Sequence, residues 1–171
     1  TLVAGPTDLP LPSWAEIKPV SSAQEMAEAV KAEFERADLL VMVAAVADFR
    51  PATESKEKIK SSREMRSIEL LPNPDILAEC SRSKKRGQAV VGFALESENV
   101  MANAREKLKN KGCDLLVVNN PSTPGGGFGS DRVEWGIIDQ SGVVIDLALR
   151  PKSELASAVV EQSNRLIKKK E

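Results

Sequence analysis

Three apolar runs of strand length, Leu39 to Ala44, Gln88 to Ala94 and Leu115 to Asn119, constrain this chain more than any other feature. None alternates polar with apolar residues, the pattern of strands covered on both faces. Helix-patterned segments separate them. Ser22 and Glu25 form a capping box ahead of a stripe made by Met26, Ala29, Val30 and Phe34, which predicts a helix from Ala23 to Arg36. Asn73-Pro74-Asp75 predicts a second helix start, with Asn73 as N-cap, Pro74 at the first helical position and Ile76 and Leu77 behind. A third helix is expected from Asn99 to Lys111. This βαβαβ alternation argues for an α/β fold: a doubly wound, mostly parallel sheet with helices on both faces and right-handed crossovers. Thr1 to Ala4, Glu16 to Val20 and Ser67 to Leu71 are shorter strand candidates. Arg132 to Ile138 and Val143 to Leu149 flank Gln140-Ser141-Gly142 as a C-terminal β-hairpin, and Ser153 to Lys168 reads as a last amphipathic helix on Leu155, Val159 and Leu166.

Composition narrows the chemistry. At 171 residues the chain is expected to form one domain with a full core. Its 24 Lys and Arg stand against 25 Asp and Glu, so no basic field exists to hold a nucleic acid backbone. The longest apolar stretch, Leu39 to Ala47, is too short for a membrane span. The chain has no histidine, which removes His-assisted nucleophiles, His bases and His-containing metal sites and leaves Lys, Asp, Asn and backbone amides as catalysts. Cys80 and Cys113 lack CxxC spacing and fit reduced thiols in a cytoplasmic protein. The opening TLVAGPT has no Met and no signal-peptide pattern, so the chain reads as cut, with an upstream portion expected.

In an open α/β sheet, ligands bind beyond the carboxyl ends of the strands. After the first strand comes AAVADFRP, where small residues from Ala44 onward admit a ligand close to the backbone and Asp48 supplies a charge. An ordinary strand end with Asp48 as turn former is the competing reading. After the second, Phe93 could carry a flat ring, with Glu96 near the same edge, although Phe93 also suits the core. After the third runs a Gly-rich loop, Asn119 to Asp131, without P-loop or dinucleotide-fingerprint spacing. The charged stretch Glu54 to Glu64 is either a solvated loop or a flap whose Lys58 and Lys60 close over an anion. On the third helix, Lys107 and Lys111 sit one turn apart, which is unfavourable unless an anion lies between them or both extend into solvent.

Taken together, AAVADFRP, EKIK, LLPNPDIL, VVGFALES, NAREKLKNKG, DLLVVNN and GFGSD resemble, in order and spacing, the bacterial phosphopantothenate–cysteine ligase domain of coenzyme A biosynthesis. The resemblance runs from TLVAGPT to the final helix and implies a single CTP-binding ligase domain over residues 1–171, Rossmann-like and lacking its first strand and helix. It implies a homodimer that activates the carboxylate of 4'-phosphopantothenate with CTP as an acyl cytidylate, with Mg²⁺ on the triphosphate. Cysteine's amine then attacks, giving 4'-phosphopantothenoylcysteine, CMP and pyrophosphate. Carried over, it assigns substrate or nucleotide contacts to Ala44, Asp48, Lys58, Asn73, Pro74, Asp75, Ile76, Leu77, Phe93, Lys107 and Lys111, and conversion of the acyl cytidylate to Lys58. The chain departs from the family where Ser61 replaces a second lysine after KIK, and where Asn120 replaces a common Asp. In many bacteria this domain follows a flavin-dependent decarboxylase domain, so FMN is implied only for such a parent protein. Two other classes compete. A nicotinamide-dependent Rossmann-like oxidoreductase shares the alternation, but the chain shows no GxGxxG after a strand and no tyrosine for a TyrxxxLys dyad. A non-catalytic nucleotide-binding or dimerisation fragment is the third reading.

Overall fold

The structure, a computed structural model, describes residues 1–53, 55, 57–58, 67–127 and 129–170. In chain order its elements are β1 (Leu2–Ala4), β2 (Ile17–Pro19), α1 (Ala23–Phe34), β3 (Leu39–Met42), β4 (Phe49–Pro51), β5 (Leu70–Pro72) and α2 (Ile76–Ser83). They continue with β6 (Ala89–Leu95), α3 (Val100–Lys111), β7 (Leu115–Asn120), β8 (Arg132–Asp139), β9 (Gly142–Pro151) and α4 (Lys152–Lys170). These residues form two compact units, Thr1–Val30 with Ala44–Asp75, and Lys31–Val43 with Ile76–Glu171.

In the first unit β1 and β2 pair in parallel, Leu2 opposite Ile17. The capping box forms as expected: Glu25 N–H donates to Ser22 Oγ at 3.2 Å, and Glu25 Oε2 accepts from Ser22 N–H at 3.1 Å and Ser21 N–H at 2.6 Å. Met26, Ala27 and Val30 of α1 are buried. β4 and β5 form an antiparallel pair with Phe49 opposite Pro72. β5 overlaps only the end of the strand expected from Ser67, and β4 was not expected. Phe-Arg-Pro is too short to show a period of two, and its proline argues against a strand.

The second unit holds a five-stranded sheet in the order β3-β6-β7-β8-β9. β3, β6 and β7 run parallel, whereas β7–β8 and β8–β9 are antiparallel, so the fold is an α/β mixed sheet closed by the expected hairpin. Both faces of β6 are covered: Val90 and Val91, which point to opposite sides, are each fully buried. On one side Val91, Leu115, Val117, Trp135 and Ile137 pack with Leu155 and Val159 of α4. On the other, a Cβ on Gly92 would stand 2.6 Å from Leu77 Cδ2, so α2 lies against the bare backbone there. β3 differs from expectation. It is the sheet's edge and ends at Met42, with Val41 exposed because a strand with one neighbour is only partly covered. The helix after β6 begins at Val100, preceded by Asn99 at φ 46°, the only non-glycine residue with positive φ among the described residues. It ends where the Gly112 N–H, at φ 67°, donates to the Leu108 carbonyl.

Cys80 and Cys113 are free, buried thiols in this unit, in keeping with the reduced state expected. Burial pushes both thiols up, and Cys113 from 9.0 to about 11. The folded protein therefore keeps its Cys113 proton where the unfolded chain has lost it. The stability this supplies is complete below pH 9.0 and is lost as pH rises towards about 11. Urea titrations across that interval should show the unfolding midpoint falling more steeply in the wild type than in Cys113→Ala; equal slopes would contradict the assignment.

Candidate functional site

In the first unit the irregular, small-residue segment after β3 is fastened by Asn73. The Asn73 side-chain amide donates to the Ala47 carbonyl at 2.8 Å, and its backbone N–H donates to the Asp48 carbonyl at 2.8 Å. Arg50 Nη1 donates to Asn73 Oδ1 at 3.2 Å and to the Pro72 carbonyl at 2.5 Å. Asn73 is thus not the N-cap expected from the sequence. Its side chain is committed to the Ala47–Arg50 segment, and α2 begins at Ile76, after Pro74 and Asp75. Ala44, Asp48, Lys58 and Asp75 are exposed, and Asn73 and Pro74 are half-buried. Lys60 lies outside the described residues.

In the second unit Glu96 and Lys107 meet where β6 and β7 end, whereas Lys111, the last residue of α3, lies towards the start of β7. Phe93 is half-buried and packs against the α4-side core, so its ring does core work. The Glu96 N–H donates to the Asn119 carbonyl at 2.9 Å, tying the residue after β6 to β7. Glu96 Oε1 lies 2.6 Å from Lys107 Nζ, and Oε2 accepts from the Asn103 side-chain amide at 3.1 Å. Asn103 also donates to the Glu98 carbonyl at 2.9 Å. Burial works to raise the Glu96 pKa. The Lys107 ammonium and the Asn103 amide outweigh it, and the carboxyl is held below the ordinary carboxylate range. The Glu96 side chain is 10% exposed and that of Lys107 is 47%, so the carboxylate is the anchor and the ammonium faces water. Lys107 therefore has a protein carboxylate beside it while its side chain stays largely exposed, which fits the solvent-extended reading of its spacing to Lys111. Lys111 is half-buried one turn further along α3. Ile76 is buried, and the half-buried Leu77 packs at Gly92.

Beyond β7 the Gly-rich loop is built on Glu134, whose Oε2 accepts from Asn120 Nδ2 at 2.8 Å and Thr123 Oγ1 at 2.7 Å. Gly127, at φ 97°, passes so close to Pro121 that a Cβ would meet the Pro121 oxygen at 2.6 Å. The roles of Asn103 and Glu134 were not visible in the sequence, because each partner lies on another element and no spacing rule marks it. No helix among the described residues is long and apolar enough to cross a membrane.

Comparisons with known proteins give the family and the fold. Residues 1–166 match the family described as the DNA/pantothenate metabolism flavoprotein C-terminal domain. A curated protein named cysteine/cysteine sulfinic acid decarboxylase, from an unknown prokaryotic organism, is 41% identical over 98% of this chain and 47% of its own length. The coenzyme A biosynthesis bifunctional protein CoaBC of Mycobacterium bovis is 43% identical over 94% of this chain and 41% of its own length. The chain thus spans less than half the length of these relatives. The crystal structure of the C-terminal domain of a coenzyme A biosynthesis bifunctional protein CoaBC superposes with a TM-score of 0.77 at 32% identity, covering 98% of this chain and 75% of that one.

Asn73→Ala should loosen the Ala47–Arg50 segment by removing two side-chain hydrogen bonds, at a cost of about 1–2 kcal/mol. Hydrogen exchange should then speed up there, with β6 and β7 unaffected; unchanged exchange would mean that Asn73 does not fasten the segment.

Proposed function

The chain belongs to the family of DNA/pantothenate metabolism flavoprotein C-terminal domains, and from that premise we propose that it joins 4'-phosphopantothenate to cysteine at the expense of CTP. The observation that carries this reading is the water-facing Lys107 ammonium at the carboxyl ends of β6 and β7, where an open sheet receives an anionic ligand. Family membership and the ordered motifs supply the substrates, and the relatives named for coenzyme A biosynthesis support them.

The substrate carboxylate oxygen attacks the α-phosphorus of CTP, and the bond to the β-phosphate oxygen breaks, releasing pyrophosphate. Cysteine's amine nitrogen then attacks the acyl carbon, CMP leaves with the bonding electron pair, and the amine gives up a proton. Neither step calls for histidine. The chain's own work is to hold charge and place atoms, for which Lys58, Lys107 and Lys111 are suited as ammonium groups. The Ala44–Asp48 segment, exposed except at half-buried Val46, contributes the Asp48 carboxylate. Mg²⁺ would offset triphosphate charge. Among the described residues no group of three or more acidic or thiol side chains could cage a metal, which suits an ion carried on phosphate oxygens and water. FMN is assigned to a decarboxylase domain of a bifunctional parent, and a homodimer in the cytoplasm is the proposed working form.

No observation favours the oxidoreductase reading, since the chain has no tyrosine. Lys58→Gln in the full-length protein should slow amide formation while activation continues, so that the acyl cytidylate accumulates. Quenched-flow analysis with CTP and labelled 4'-phosphopantothenate would detect it; turnover equal to wild type would remove Lys58 from its role.

A further inference from the structure

We infer that Glu96 is a positioning residue: its buried carboxylate, oriented by Asn103, holds the Lys107 ammonium outward to meet a nucleotide polyphosphate. This rests on the nucleotide reading above and adds to it the residues that set the cation in place.

Glu96 is fixed from three directions. Its N–H is bonded to the Asn119 carbonyl, one carboxylate oxygen takes the Asn103 amide, and the other faces Lys107. The same Asn103 nitrogen also donates to the Glu98 carbonyl, closing the turn that brings the start of α3 back onto the end of β6. Asn99 within that turn adopts a left-handed conformation, which asparagine tolerates better than most residues, and makes no side-chain cap. The asymmetry of exposure gives the pair its direction. The Glu96 side chain, 10% exposed, is a fixed support, and the Lys107 side chain, 47% exposed, carries an ammonium with three donors, more than the one contact to Glu96 uses. Unsupported, the flexible lysine stem would scatter the charge over many rotamers. The pair also screens Lys107, since an incoming anion meets an ammonium already partly neutralised. Several linked phosphates, which engage other cations at once, overcome this better than one.

The test is a double-mutant cycle in the full-length protein, with kcat and KM measured against CTP. Glu96→Gln keeps an acceptor for Asn103, removes the charge and puts an amide NH2 in place of the oxygen that faces Lys107. In the wild-type background it should lower kcat/KM for CTP about tenfold, the range of coupled neighbours. In a Lys107→Ala background the same substitution should change kcat/KM less than twofold, because nothing remains to position. An equal loss in both backgrounds would make Glu96 a structural support only and overturn the inference, while CTP-dependent turnover in the wild type would leave the nucleotide reading standing. A wild type without CTP-dependent turnover would overturn both.

Discussion

The double-sided burial of β6 and β7 is the constraint on which the second unit depends. Val90, Val91, Val117 and Val118 are fully buried, and Leu116 nearly so. Each such side chain contributes about 1.5–3 kcal/mol relative to exposure. That burial fixes two parallel strands side by side, with α2 against one face and α4 against the other. The Glu96–Lys107 pair and the Gly-rich loop are attached to where those strands stop. Glu96 is the first residue past β6, Asn119 and Asn120 close β7, and α3, which runs between the two strands, carries Asn103 and Lys107. A shift of β6 by one residue would turn Val91 to the α2 side and move Glu96 off the Asn119 carbonyl.

Electrostatics at this edge follow from packing. Burial alone would favour a neutral Glu96, yet Lys107 and Asn103 together keep it ionised more readily than a free carboxyl. The result is an ion pair with one buried and one wet member, whose cation is presented rather than consumed. The Gly-rich loop follows the same logic with neutral groups: Glu134 gathers Asn120 and Thr123, and Gly127 lets the backbone pass Pro121. In the first unit, Asn73 fastens the Ala47–Arg50 segment in a comparable way, and Asp48 stays exposed.

What was legible in the sequence divides along physical lines. The apolar runs at Gln88 and Leu115, the capping box at Ser22 and the hairpin around Ser141 are local patterns, and all are found. β3 misled because an apolar run does not reveal how many neighbours a strand has. Asn73 misled because an Asn-Pro-Asp start fits capping locally, while the partners that claim its side chain, Arg50 and Ala47, are 23 and 26 positions away. Glu96 was visible as an edge residue and Lys107 as one of two lysines a turn apart on a helix, but their pairing depends on the turn through Asn99, which no periodicity announces. Where Lys58 acts rests on motif resemblance, since its charged neighbourhood has no periodic pattern to read.

The central claim is that this chain handles CTP at the carboxyl ends of its parallel strands. Calorimetric titration of the full-length protein with CTP and Mg²⁺, beside ATP and NADH, tests it most directly. The account predicts saturable binding that prefers CTP over both; binding that prefers NADH would contradict it.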